Sequence, residues 1–131
     1  MLFSSTLTIE AFNPPKNHAR FAGVDQVVMS NPLGTSVLMD VHTTLFPVKL
    51  KDTVELAISG NTEFGAREHD SYEYVLTGSI YKVLDSVKEA GRREILMSFG
   101  GLALSMQGSV HLLNKLKQDA KVVVLLKREA S

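Results

Sequence analysis

Hydrophobic residues in this chain recur at every second position far more often than at helical spacing, which is the pattern of strands with one buried face. Thr6 to Phe12 is a first, weak example. Asn13-Pro14-Pro15 then forces an extended or turning backbone. Gly23 to Ser30 offers Val24 and Val28 on one face and Val27 and Met29 on the other, and Asn31-Pro32-Leu33-Gly34 reads as a turn. The alternation is clearest from Thr35 to Phe46. There Val37, Met39, Val41 and Leu45 fall on one side, while Ser36, Asp40, His42 and Thr44 fall mostly on the other. Pro47 ends this strand or sits at its edge, Lys49 to Asp52 is polar enough for a loop, and Thr53 to Ser59 alternates again through Val54, Leu56 and Ile58.

The segment Gly60 to Asp70 has no sustained period and marks an exposed connection. Tyr72 to Val83 follows as a strand interrupted by Gly78, and a glycine inside a strand marks a bulge or a close backbone approach. Lys88 to Arg93 reads as a solvated charged turn. Glu94 to Phe99 is a strand with Ile95, Met97 and Phe99 on one face. Gly100-Gly101 then separates two alternating runs, and a two-residue glycine connection supplies the positive φ that primed hairpin turns demand. The second strand carries Leu102, Leu104 and Met106 on one face and ends at Gly108. A phosphate cradle does not fit this stretch, which lacks G-x-G spacing and a following helix with Lys and Ser or Thr. Val110 to Leu116 suits one or two helical turns capped by Ser109. Lys121 to Leu126, KVVVLL, looks buried on both faces. Seven or eight short strands at this spacing imply an all-β sandwich or a closed barrel, and no internal repeat is visible.

The 131 residues suit a single domain, 1–131, large enough to bury roughly two thirds of the surface of its unfolded chain. Cysteine is absent, which removes disulfides, thiolate metal sites and a cysteine nucleophile. Fourteen Lys and Arg balance fourteen Asp and Glu, so there is no overall pull toward nucleic acid or an anionic membrane. No window approaches the roughly 20 apolar residues of a membrane span, and the first residues lack signal-peptide features. The expectation is a soluble intracellular protein without a membrane partner.

Candidate chemistry is sparse. His18, His42, His69 and His111 are too scattered for one element to hold a metal. Asp40 and His42 share a strand face, where a weak ion pair on a polar surface accounts for them better than an acid–base pair, and no Ser-His-Asp order accompanies them. Tyr72, Tyr74, Tyr81 and Phe99 could stack bases, with Lys82, Arg92, Arg93, Lys115 and Lys117 for phosphates. Against this, aromatics are only 7% of the chain, Trp is absent, and the alternation sends several of these rings to the core. No catalytic residue, metal ligand, cofactor or small-molecule substrate is expected.

Thr44-Leu45-Phe46-Pro47-Val48, then Tyr72-Glu73-Tyr74-Val75-Leu76-Thr77-Gly78 with Tyr81-Lys82, then Ser98-Phe99-Gly100-Gly101-Leu102 through Gly108, then Leu113-Asn114 and a closing Val-Leu-Leu-Lys-Arg run form an ordered set. In order and spacing it resembles the eighth subunit of eukaryotic nuclear RNA polymerases, the small subunit shared by polymerases I, II and III. The resemblance implies an eight-stranded antiparallel Greek-key barrel related to the oligonucleotide-binding fold, with a short helical turn before the last strand. It further implies a nuclear, non-catalytic role docked on the largest polymerase subunit, held through the barrel and exposed strand edges, with at most a weak nucleic-acid contact. Phe46, Pro47, Tyr72, Tyr74, Gly78, Tyr81, Phe99, Gly100, Gly101, Leu102 and Gly108 are the signature positions and the candidates for partner contact. The chain departs from the family pattern in its short segment Gly60 to Ser71, in Thr77, in Ser105 and in its neutral charge.

Overall fold

The computed structural model describes residues 2–13, 23–60 and 71–129. Among the described residues eight strands form: β1 (Phe3–Phe12), β2 (Val24–Ser30), β3 (Ser36–His42), β4 (Thr53–Gly60), β5 (Tyr74–Asp85), β6 (Arg92–Phe99), β7 (Leu102–Ser109) and β8 (Lys121–Arg128). One short helix, α1 (Val110–Leu113), precedes β8. The strands close into an antiparallel barrel in the order β1-β2-β3-β7-β6-β5-β8-β4, so the fold is the barrel and not the sandwich. Within that circle, 4-1-2-3 and 8-5-6-7 are each a Greek key, a meander of three strands with the fourth returning beside the first. The topology therefore repeats where the sequence does not. The two halves meet at two seams, β3 on β7 and β4 on β8.

An eight-stranded barrel is just wide enough for side chains to fill it. Leu7, Met29, Met39, Leu56, Ile58, Ile80, Ile95, Met97, Leu104 and Met106 are fully buried in this interior. Val27 and Met29 face inward as expected and Val28 outward, while Val24 is buried at the end of β2 outside the main cluster. β8 is buried on both faces, as KVVVLL implies. Val122, Val124 and Leu126 join the interior, and Val123 and Leu125 form an outer apolar patch with Ala57, against which Tyr72 packs.

Several boundaries differ from expectation for identifiable reasons. β3 ends at His42 and not at Phe46, because the Leu45 and Phe46 N–H groups both donate to the His42 carbonyl (2.9 and 3.0 Å) and fold the chain into a turn. The turn reverses the alternation, so Leu45 is 68% exposed and Phe46 is buried. β1 begins at Phe3, where it pairs with Ile58. β5 begins at Tyr74, leaving Tyr72 outside it. Arg92 and Arg93 belong to β6 and are half-buried, because they pair with Ser109 and Gly108 of β7. The helix stops at Leu113, although Leu116 is still buried. Ser109 caps it as expected, its hydroxyl accepting from the His111 N–H at 3.2 Å. The segment 61–70, with His69, and His18 lie outside the described residues.

Gly78 is the close approach and Tyr81 the bulge. The β5–β6 register shifts between Ile80 and Lys82, while a Cβ on Gly78 would lie 2.1 Å from the Ser98 carbonyl oxygen and 2.5 Å from the Phe99 ring. At the β6–β7 hairpin, Gly100 (φ 58°) and Gly101 (φ 97°) are both left-handed, the conformation of a type I′ turn, and neither faces any steric obstacle. These two glycine sites predict opposite tolerances. Gly78→Ala should lower stability by about 2 kcal/mol or more, because backbone must move to admit the methyl group. Gly100→Asn should stay within about 0.5 kcal/mol, since Asn is favoured at the first turn position. Urea unfolding midpoints of the two variants check both.

Candidate functional site

The turn after β3 sends the Phe46 ring into the barrel end, where it stacks on Tyr74 of β5 with centroids 5.4 Å apart and planes at 10°. The Tyr74 hydroxyl accepts the His42 N–H at 3.0 Å. That bond supplies a partner where β3 has run out of ladder, since the β3–β7 pairing covers only Ser36 to Met39. Beside it, the Asp40 carboxylate accepts the Ala103 N–H at 2.9 Å and replaces another missing rung. Asp40 thus serves the backbone of β7, not His42, and the acid–base pairing is absent. Pro47 is exposed, and its carbonyl accepts from the Arg128 guanidinium at 3.1 Å. Arg128 also pairs with Glu73 at 3.1 Å. The Phe46-Pro47 and Tyr72-Glu73-Tyr74 pieces, distant in sequence, therefore meet at one barrel end with the close of β8.

The other signature positions serve the β5-β6-β7 sheet. Gly78 admits the Phe99 ring, Leu102 packs half-buried against the core, and Gly108 leaves room for Thr35 and Leu113. Tyr81, carried outward by the bulge, is 50% exposed. Tyr72 lies on the outer surface of β4 and β8. Its hydroxyl donates to Glu55 at 2.8 Å, and the Lys127 ammonium sits 5.0 Å from its ring centroid.

The four rings proposed for base stacking do not share a surface. Tyr74 and Phe99 are interior, and the Tyr72 face is occupied by Lys127. Two of the proposed phosphate contacts are engaged as well. Arg92 donates to the Gly34 carbonyl at 2.8 Å, and Arg93 pairs with Asp85 at 2.6 Å. The hydrogen bond from Arg93 holds the Asp85 carboxyl below its ordinary range. Among the described residues no group of three or more His, Asp or Glu side chains is placed to hold a metal, and no helix is long and apolar enough to cross a membrane. The turn expected at Asn31 to Gly34 forms, and the Asn31 side-chain oxygen builds it by accepting from the Leu33 and Thr35 N–H groups. Asn before Pro was the available signal. Sequence reasoning missed Glu94, which accepts from Ser105 at 3.0 Å and Gln107 at 3.2 Å. No local signal marks that role, because the donors lie on another strand.

The profile of the family described as RNA polymerase Rpb8 matches residues 5–128, nearly the whole barrel. The chain belongs to this family. Among curated relatives, subunit 8B of the DNA-directed RNA polymerases II, IV and V of Arabidopsis thaliana is 23% identical, with 98% of this chain and 96% of that protein covered. Subunit RPABC3 of the DNA-directed RNA polymerases I, II and III of Schizosaccharomyces pombe is 24% identical, covering 98% and 97%. Its Saccharomyces cerevisiae counterpart is 33% identical over 62% of this chain and 68% of that protein. As an Rpb8-family member, the chain is an accessory subunit of RNA polymerase and not its catalytic component. The fission-yeast relative aligns over 128 positions, nearly its full length, so a compact chain is not peculiar to this member. The Arabidopsis alignment runs to 142 positions, more than the 131 residues here, and so includes segments this chain lacks.

Partial burial and the hydrogen bond to Glu55 push the Tyr72 hydroxyl up to about 12 from its ordinary 10.0. The neutral phenol is the favoured form, so this contribution to stability is fully present below pH 10 and is lost as pH rises through 12. Ultraviolet titration should show a Tyr72 transition near pH 12 that vanishes in Tyr72→Phe and moves toward pH 10 in Glu55→Gln.

Proposed function

We propose that this chain is a structural and assembly subunit of the nuclear RNA polymerases I, II and III, docked on the largest subunit of each. The observation that carries the proposal is the family match over residues 5–128, together with relatives named as subunits of polymerases I, II and III in two yeasts. The barrel itself suits a role carried by its outer surface, because its interior is filled by apolar side chains. The docked state places the protein in the nucleus with its polymerase.

Docking through exposed strand edges needs revision. Every strand has two partners, so the barrel offers no full-length free edge for an added strand. Affinity must come from outward side chains and loops. The alternative of a free-standing single-strand binder is weakened by the interior positions of Tyr74 and Phe99 and the engaged state of Arg92 and Arg93.

A tagged full-length chain, recovered from native extract and washed at high salt, should retain the largest subunits of the three polymerases in near-stoichiometric yield. An apolar subunit contact survives such a wash, whereas a phosphate-driven contact weakens steeply. Asp40→Ala should leave this retention unchanged, although it removes a backbone hydrogen bond and lowers stability by about 1 kcal/mol. Retention of single-stranded nucleic acid at low salt without polymerase would overturn the proposal.

A further inference from the structure

On the outer face of the barrel, Ala11, Val28, Leu38, Ser105 and Leu96 lie in register across β1, β2, β3, β7 and β6. All five are half-buried. The small Ser105 side chain between Leu38 and Leu96 leaves a depression in the row. A cleft of about 260 Å³ opens there, bounded by Val28, Leu38, Ser105, Glu94 and Gln107. A second cleft of about 370 Å³ runs on toward Leu84 and Arg92, and Glu94 and Gln107 line it too, so the two form one groove crossing the strands.

Glu94 is the electrostatic centre of this groove. Its Oε2 is held by two neutral donors, Ser105 at 3.0 Å and Gln107 at 3.2 Å. The nearby arginines are committed elsewhere, Arg93 to Asp85 and Arg92 to the Gly34 carbonyl. Among the described residues no cation pairs with Glu94. A half-buried carboxylate that is oriented but not neutralised offers its charge to an incoming group, and it repels phosphate.

We infer that this groove is the docking site for an extended segment of the largest polymerase subunit, with aliphatic side chains over Val28 and Leu38 and one Arg or Lys on Glu94. The inference rests on the polymerase reading above. From β2 to β5 the groove crosses four strand spacings, about 19 Å, which an extended segment of about six residues spans. Because the barrel has no full-length free edge, side chains rather than ladder hydrogen bonds carry the contact.

The test compares retention of the largest subunit by tagged full-length chains from native extract. Leu38→Asp should lower retention tenfold or more, Glu94→Arg should abolish it, and the near-isosteric Glu94→Gln should lower it severalfold. Leu50→Asp, at an exposed position between β3 and β4 that lines neither cleft, should retain polymerase normally. Thermal unfolding identifies any variant that loses its fold, and Glu94→Gln, which keeps an oxygen acceptor and the side-chain shape, decides the matter if Leu38→Asp unfolds. If the wild type retains the largest subunit and folded Glu94→Arg and Glu94→Gln do so equally well, the groove is not the docking site. Release of bound polymerase by a single-stranded oligonucleotide, with Glu94 variants unchanged, would also overturn the assignment. If the wild type retains no polymerase, the assembly reading fails and this inference falls with it.

Discussion

Closure of the barrel is the constraint on which the rest of the structure depends, and it is made at two unequal seams. β4 and β8 pair along nearly their whole lengths, from Val54 with Arg128 to Gly60 with Val122. β3 and β7 pair only from Ser36 to Met39, and beyond that point side chains take over the hydrogen bonding. Asp40 accepts from Ala103, and the Tyr74 hydroxyl accepts from His42. Leaving a buried backbone N–H without a partner costs roughly 1–3 kcal/mol, so the Tyr74 hydroxyl is well used at half-buried His42, while Asp40 makes the matching bond to exposed Ala103 from the outer face of β3. The Phe46–Tyr74 stack then fills the end of the barrel beside the short seam.

This arrangement explains the character of the signature positions. Phe46, Tyr74, Gly78, Phe99 and Gly108 face the interior or make room for something that does. Gly100 and Gly101 set a turn. A pattern that identifies the family is thus largely the pattern needed to close and fill one barrel. The proposed docking surface uses a different set, Val28, Leu38 and Glu94, which point away from that core.

The alternation also accounts for how much of the site was legible. The positive φ at Gly100-Gly101, the close approach at Gly78 and the capping by Ser109 follow from local rules, and each could be read from a few adjacent residues. The rings Tyr74 and Phe99 were visible as candidates for stacking, but their direction depends on strand parity, which the register across β5 and β6 sets. Glu94 was not legible at all, since its donors come from β7 and the absence of a cation depends on where Arg92 and Arg93 turn.

By itself the sequence determined that this protein is made of short antiparallel strands, that one strand is buried on both faces and that a glycine hairpin joins two others, because side-chain period and backbone freedom are properties of consecutive residues. Periodicity alone left sandwich and barrel open and the family resemblance implied the barrel, while the tertiary structure closed it, joined the two Greek keys and left no full-length free edge. It also reversed the parity at Thr43 to Phe46, which turned Leu45 out and Phe46 in. These outcomes rest on pairings between residues far apart in the chain, such as Ala57 with Leu125 and Val37 with Met106. Local periodicity prepares a strand for such a pairing, and the need to bury one face and satisfy every backbone group selects the partner.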